Sequence, residues 1–296
     1  MNFNIKSTTN QIAIFLFLLG INVVIFSFFT NLTAVLFFGS ENLHTATALR
    51  YVSSLTQIGI FGLSAFECAF LFNDKKPANY LQLNTKISGL NCFIIILIAV
   101  VSLPALSHII AWNEEIKLPQ YMSSIENWMR GQEDAAAKIT SLLLSGNNVS
   151  ILLINLAVMA IIPAVCEEFL FRGLLITWLK NRVHNIHIVI VISALLFSAI
   201  HFQFYGFVPR FLLGLYFGYL LIWTESLWTC IIAHFINNGM AVIVSYLHNN
   251  QLIETEYQHF GNVGDNYLLI GLSLLLTTAC VYFLYKKRKI MNYKLV

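Results

Sequence analysis

The sequence predicts an all-α fold, a polytopic transmembrane helical bundle of about eight spans. Hydrophobic residues make up 58% of the chain and charged residues only 10%, whereas soluble domains average ~25% charged residues. Apolar stretches near the ~20 residues that a helix needs to cross a bilayer recur along the chain. These observations exclude a water-soluble domain, make the lipid bilayer the expected surroundings and give no reason to expect nucleic acid as a partner.

Eight apolar segments are predicted to span the membrane. In order they are 12–38, 52–72, 87–111, 149–179, 187–205, 209–224, 228–248 and 265–285. The first and fourth exceed the thickness of a bilayer, so we expect them to tilt or protrude. In the sixth, Gly214 and Gly218 form a GxxxG motif that permits close approach of another helix. We interpret that approach as packing within the chain rather than as a dimer seam.

The charges of the loops predict the orientation of the spans. Basic residues follow spans two, four and eight: Lys75, Lys76, Lys86, Lys180, Arg182, Lys286, Lys287, Arg288 and Lys289. Acidic residues dominate after spans three and seven: Glu114, Glu115, Glu126, Glu133, Asp134, Glu254, Glu256 and Asp265. Cytoplasmic loops carry an excess of Lys and Arg. The charges of all these loops therefore agree with a multi-pass membrane protein that has an even number of spans and both termini in the cytoplasm.

We divide this single integral membrane domain into three parts. Residues 1–148 hold the N-terminal spans and an outer connecting segment, 149–248 hold the polar motifs, and 249–296 hold the final span and a basic cytoplasmic tail. The connection 112–148 is predicted to form a surface or interfacial helix, on which Asp134 and Lys138 can pair at i,i+4. A solvated connecting helix is the simpler interpretation, and a lid or substrate guide is the alternative.

Polar residues stand in three short clusters inside the apolar second half. The clusters read C-E-E-F-L-F-R-G, F-S-A-I-H and H-F-I-N-N. Their candidate functional residues are Glu167, Glu168, Arg172, His201, His234 and Asn238. A charge at the bilayer centre costs at least ~2.5–3.5 kcal/mol. We therefore predict that these groups face one another in a cavity formed by spans four, five and seven, and that they carry chemistry.

The two adjacent glutamates are predicted to have different roles, because neighbouring residues on a helix point about 100° apart. Glu168 and Arg172 have the i,i+4 spacing of a helical ion pair, which makes them structural support. Glu167 has no local cationic partner, which suits a general base or acid. The alternative is that both glutamates are counter-ions for arginines such as Arg172 and Arg210.

The other two clusters contribute imidazoles and an amide. Phe197 precedes His201 by one helical turn and can shield it from water, while His234 and Asn238 are one turn apart and project together. Before the first cluster, Pro163 lacks an N–H and frees a backbone carbonyl near Met159. A kink is expected there.

Two catalytic schemes fit these residues. In one, Glu167, His201 and His234 bind a Zn²⁺ that activates water and polarises a carbonyl. In the other, no metal is needed: Glu167 and His201 activate the water, and His234 with Asn238 stabilises the oxyanion. The sequence contains no HExxH motif. The spacing of the residues alone does not distinguish between the two schemes.

The depth of the site also remains open. His201 lies ~14 residues into the predicted fifth span, or ~21 Å at helical rise. Glu167 and His234 are expected in the cytoplasmic halves of their spans. Convergence therefore requires either that the fifth span starts later or that the site is deep in the membrane.

The three clusters, in order, resemble the EExxxR, FxxxH and HxxxN motifs of the CAAX protease and bacteriocin-processing family, which includes the type II CAAX prenyl endopeptidases. The extension H-F-Q-F-Y-G-F-V-P-R-F-L-L-G is similar to a bacterial subgroup. The resemblance implies an intramembrane endopeptidase of a bacterial cell membrane that acts on a membrane-associated peptide or protein. It implies Glu167 as catalytic acid/base, with His201, His234 and Asn238 completing the site. The family is commonly classed as metalloproteases, although a metal-free glutamate mechanism is also argued for it.

Two other functions are compatible with the composition. A bacteriocin-immunity or scaffold protein would keep the fold without turnover, and Glu167→Gln would then change nothing. A proton-coupled transporter also uses buried Glu and His, but it usually shows inverted repeats in both halves. Here the polar clusters lie in the second half alone.

Overall fold

The fold is helical, as predicted. A computed structural model describes residues 8–73, 76–256 and 259–288, and these ranges contain helices, turns and loops without a β-strand. Lys75 and Lys289 of the predicted basic loops lie outside the described residues.

The main helices follow the apolar segments of the sequence. They are α1 (Thr8–Phe38), α2 (Ala46–Phe72), α3 (Gly89–Val101), α4 (Leu103–Glu114), α5 (Ser123–Leu144), α6 (Val149–Leu179), α7 (Ile186–Ala199), α8 (Phe207–Thr224), α9 (Leu227–Asn249) and α10 (Tyr267–Lys287). Single helical turns also form, at Ser40–Asn42, Pro77–Tyr80, Gln120–Met122 and Phe204–Gly206. Two helix ends show why the helices begin and end where they do. Asn148 caps α6 by accepting the backbone N–H of Ile151 at 2.8 Å, and left-handed Glu225 (φ 54°) ends α8.

Within the described residues, six helices are long and apolar enough to cross a membrane: α1, α2, α6, α8 with its preceding turn, α9 and α10. Helices α3 and α4 are bent by 49° and add a seventh crossing if they form one span. Pro104 lies in the first turn of α4, where its missing N–H ends the regular hydrogen bonding of α3. The chain is therefore a multi-pass membrane protein with six or seven candidate spans and a shorter apolar helix, α7.

The predicted fifth span, 187–205, is shorter than expected. Helix α7 ends at Ala199 after 14 residues, a length of ~21 Å against a hydrocarbon core of ~30 Å. The chain then turns through Phe202, whose φ of 52° is left-handed. Because α7 starts at Ile186, His201 lies far from the start of the helix. A later start therefore does not explain how the clusters meet.

Helix α6 lies at the centre of the bundle, where α2, α7, α8 and α9 pack around its polar residues. The GxxxG prediction of packing within the chain is confirmed. A Cβ on Gly214 would lie 2.9 Å from Ala194 Cβ, and one on Gly218 would lie 2.7 Å from Ile190 Cγ2, both on α7. The two glycines thus let α8 approach α7 directly.

The predicted connecting helix is α5. Its i,i+4 ion pair joins Glu126 to Arg130 at 2.9 Å, in place of the expected Asp134–Lys138 pair. Glu133 Oε2 accepts the backbone N–H of Tyr205 at 3.2 Å, and the Arg130 guanidinium lies 4.3 Å from the centre of the Tyr205 ring. Helix α5 therefore covers the turn that follows α7 and His201.

Candidate active site

The two glutamates of α6 are buried and face different partners. Glu167 is 5% exposed and Glu168 is fully buried. Short π-helical segments, Leu156–Ile161 and Phe169–Ile176, lie on either side of them along the span. Such segments are rare and frequently mark functional sites. Pro163 stands between the first segment and the glutamates, and α6 continues through it as one span.

Glu168 forms the centre of a buried charge cluster. Its Oε1 accepts Arg172 Nη1–H at 2.9 Å, which confirms the predicted i,i+4 pair. The same oxygen accepts from His234 Nδ1 at 2.8 Å. Because an ionised carboxylate can only accept, Nδ1 carries a proton in this contact. Glu168 therefore fixes the orientation of the His234 ring and leaves Nε2 for other partners.

Arg172 is wholly buried and has contacts on several sides. Its Nη2 donates to the Gly214 carbonyl at 3.2 Å. Its guanidinium lies 4.3 Å from the centre of the Phe197 ring and 5.2 Å from that of Phe217, which favours a cation by cation–π attraction. The Phe217 ring also stacks on the His234 ring, with the centroids 5.3 Å apart. The aromatic shell thus encloses both the arginine and the imidazole.

Glu167 has no ion pair with a lysine or arginine in the described structure, in keeping with its predicted role. Its Oε1 accepts Gln57 Nε2–H at 3.0 Å, and its Oε2 lies 3.9 Å from His234 Nε2. His234 is 4% exposed. A carboxylate oxygen and an imidazole nitrogen therefore face each other inside the bundle, at a separation that a single water oxygen can bridge.

His201 lies just beyond the end of α7, and its ring is half-buried. Nδ1 donates to the Phe197 carbonyl at 2.8 Å, which leaves Nε2 for another partner. The Phe197 ring lies 5.4 Å from the His201 ring and 5.9 Å from the His234 ring, centroid to centroid. The predicted shielding role of Phe197 fits this position between the two imidazoles.

Asn238 occupies a bridging position one turn after His234 on α9. Its Nδ2 donates to the Met159 carbonyl at 3.2 Å, and its Oδ1 accepts from Asn237 at 3.1 Å. Met159 precedes Pro163 by four residues, and proline has no N–H to donate to that carbonyl. Asn238 therefore links α9 to α6 at the place where the proline interrupts the helix, and one of its two amide hydrogens is already used.

The structure brings all six predicted residues into one region, deep among the helices. Glu167, Glu168, Arg172 and His234 are in direct or near contact, His201 joins them through Phe197, and Asn238 joins through the α6 backbone. Glu167 is twelve residues from the end of α6, or ~18 Å at helical rise. The three clusters therefore meet without a later start of the fifth span, since α7 begins at Ile186.

The zinc scheme needs at least three donors around one point. Among the described residues, no group of three or more His, Cys, Asp or Glu side chains lies close enough to hold a metal ion. The Nδ1–H groups of His201 and His234 are each hydrogen-bonded within the protein. The side chains of Glu167, His201 and His234 do not converge on one point where they could bind a metal ion together. The described residues as placed do not fit a zinc ion.

Sequence reasoning missed two features of the site. One is Gln57, a polar residue in the second apolar span that holds Glu167. Its signal was an uncharged polar side chain within Y-V-S-S-L-T-Q-I-G-I-F, a stretch that helix packing alone could explain. The other is the bond from Glu168 to His234, which joins residues 66 positions apart and has no local pattern.

The fold and the site together define a polytopic helical membrane protein with a carboxylate–imidazole cluster buried among its spans. Residues 149–240 match the family model described as Type II CAAX prenyl endopeptidase Rce1-like, so this part of the chain is similar to that protease family. The matched segment is about a third of the chain and contains all six predicted site residues. Comparisons with curated proteins and with solved structures gave no match.

Proposed function

We propose that the chain is an intramembrane endopeptidase that hydrolyses a peptide bond of a membrane-associated substrate. The observation that carries the proposal is the buried pair of Glu167 Oε2 and His234 Nε2, which face each other at 3.9 Å. The match of residues 149–240 to the model of a protease family also supports it. The family's description makes a prenylated C-terminal CAAX peptide the first substrate to test.

In the proposed mechanism, Glu167 is the general base. It takes a proton from a water between its Oε2 and the imidazoles, and the oxygen of that water attacks the peptide carbonyl. Gln57 already occupies Oε1, so Oε2 is the oxygen directed toward the reaction. The proton taken by Glu167 then passes to the leaving amine, which completes the hydrolysis without a covalent intermediate.

His234 is the proposed oxyanion donor. Glu168 fixes its ring through Nδ1, and a ring that carries both protons presents Nε2–H to the developing negative charge. His201 assists the activation of the water through Nε2, while its Nδ1 is held by the Phe197 carbonyl. Asn238 supports the site with its remaining amide hydrogen and by bridging α6 and α9.

The cleavage experiment uses the purified full chain in proteoliposomes. The probes are an internally quenched farnesylated CAAX peptide and its unprenylated counterpart. We expect wild type to cleave the prenylated probe, and Glu167→Gln to abolish turnover with little effect on folding. Equal turnover by wild type and Glu167→Gln, or no cleavage of any probe, would remove the proposal in favour of a scaffold or immunity role.

The same assay separates the metal-free mechanism from the zinc scheme. After chelation and dialysis, the metal-free mechanism predicts unchanged turnover. Loss of turnover that stoichiometric Zn²⁺ restores would support the zinc scheme with Glu167, His201 and His234 as ligands.

The proposed orientation places both termini in the cytoplasm of a bacterial cell. The predicted cytoplasmic ends of the spans are followed by basic residues: Lys76, Lys86, Lys180 and Arg182. The assignment to a bacterial cell is supported by the sequence resemblance alone. Cysteine accessibility on either side of sealed vesicles tests this orientation.

A further inference from the structure

Gln57 donates a hydrogen bond to Glu167, the proposed base, and lies outside the segment that matches the family model. It lies on α2, 92 residues before the segment 149–240 begins, and its Nε2–H donates to Glu167 Oε1 at 3.0 Å. If Glu167 acts as proposed above, we infer that Gln57 is a positioning residue for the reaction. It fixes the Glu167 carboxylate so that Oε2, and not Oε1, faces His234.

The local structure of α2 delivers this amide to the site. Gln57 begins a π-helical segment, Gln57–Leu63, inside an otherwise α-helical span. This segment contacts the part of α6 that holds the glutamates. A Cβ on Gly62 would lie 3.0 Å from Cys166 Sγ, so the glycine lets α2 lie close to the residue next to Glu167. The π-helical segment and the glycine lie at the same contact between α2 and α6. Together they place the two helices at the distance that this hydrogen bond needs.

The chemistry of an amide suits the task. Glu168, the structural glutamate, is paired with the cationic Arg172 at 2.9 Å. Glu167 has instead a neutral donor, which orients the carboxylate while leaving its negative charge uncompensated. A base must keep that charge until it takes up a proton. The two neighbouring glutamates are thus held by donors of different charge, in agreement with their different proposed roles.

The second polar atom of Gln57 points to a ligand at the same place. Its Oε1 is buried and has no hydrogen-bond partner within the described residues. Buried carbonyls are nearly always satisfied in proteins. A bound water beside Glu167 would satisfy it, so the amide would contact the carboxylate on one side and that water on the other.

The test compares isosteric variants of Gln57 with a matched control. Gln57→Met keeps the length and removes the donor, whereas Gln57→Glu keeps the shape and replaces the donor with a second carboxylate. The control is Gln82→Met, which removes a similar bond, from Gln82 Nε2 to Thr177 Oγ1 at 3.1 Å, at the far end of α6. Each variant is reconstituted in proteoliposomes, and kcat, KM and melting temperature are measured on the farnesylated CAAX probe.

A positioning role predicts that Gln57→Met lowers kcat by about tenfold to a hundredfold, the effect of losing a hydrogen bond to a charged group. KM should stay within about threefold, because the bond holds the base and not the substrate. Gln57→Glu should lose at least as much kcat, although it fills the same space. Gln82→Met should keep the wild-type kcat.

Three outcomes would overturn the inference. Wild-type kcat in both Gln57 variants removes any role in turnover. Recovery of kcat and melting temperature in Gln57→Glu, after loss of both in Gln57→Met, would make Gln57 a packing residue. An equal loss of kcat in Gln82→Met would make the effect nonspecific. Failure of the proposed function itself has a different signature, because wild type and Glu167→Gln would then give the same result.

Discussion

Glu168→Gln removes the negative charge at the centre of the buried cluster. Glu168 Oε1 accepts from both Arg172 and His234, and Arg172 has no exposed surface from which to reach water. The substituted amide keeps an oxygen of the same size but leaves the guanidinium without a counter-ion. Breaking a buried pair in this way costs ~3–5 kcal/mol. At ~2–4 °C per kcal/mol, the melting temperature should fall by roughly 6–20 °C.

The assay is thermal unfolding of the purified protein in one detergent, with proteolysis as a second readout. The matched control is Glu126→Gln, which breaks another i,i+4 Glu–Arg pair of 2.9 Å whose arginine side chain is 40% exposed. Such a surface pair contributes little to stability, because water and salt screen it. Glu167→Gln should also unfold near the wild-type temperature, since its oxygen can still accept from Gln57. Equal shifts in Glu168→Gln and Glu126→Gln would refute the reasoning, as would activity loss without destabilisation in both Glu167→Gln and Glu168→Gln.

Three further predictions follow from single contacts. Asn238→Ala should lower turnover and melting temperature together, because it removes the bond to the Met159 carbonyl; a lower rate at unchanged stability would instead favour a purely oxyanion role. Gly214→Ala should destabilise the protein, since its Cβ would lie 2.9 Å from Ala194, whereas Gly271→Ala on α10 meets open space and should not; similar melting temperatures would contradict this. Burial raises the pKa of Glu133 on α5 above its usual 4.5, so stability should fall as pH rises from 4.5 through the raised pKa, and Glu133→Gln should remove that part of the pH dependence in melting curves.

The sequence predicted the fold well because the bilayer imposes a simple rule. Apolar length alone located the helices, and the predicted fourth span, 149–179, agrees with Val149–Leu179. The fifth span was placed too long, since composition does not reveal that the chain turns at Phe202. The bend between α3 and α4 was also not foreseen, although Pro104 marks it.

The candidate site was predictable to the extent that its contacts are local. The Glu168–Arg172 pair follows from helical spacing, and the free carbonyl of Met159 follows from Pro163. The partners of these groups come from distant helices. The bond from His234 to Glu168 and the one from Gln57 to Glu167 depend on how α2 and α9 pack on α6. No spacing in one segment encodes those contacts.

The most direct test of the account is the source of the oxygen in the first product molecule. A single turnover of the farnesylated CAAX probe by excess enzyme in ¹⁸O-water is followed by mass spectrometry of the fragment that gains the new carboxyl group. A water activated by Glu167 predicts one ¹⁸O atom in that carboxyl group for wild type and no product for Glu167→Gln. An unlabelled carboxyl group would instead indicate attack by an enzyme carboxylate. Labelled product at the wild-type rate from Glu167→Gln would contradict the role of Glu167 as the base.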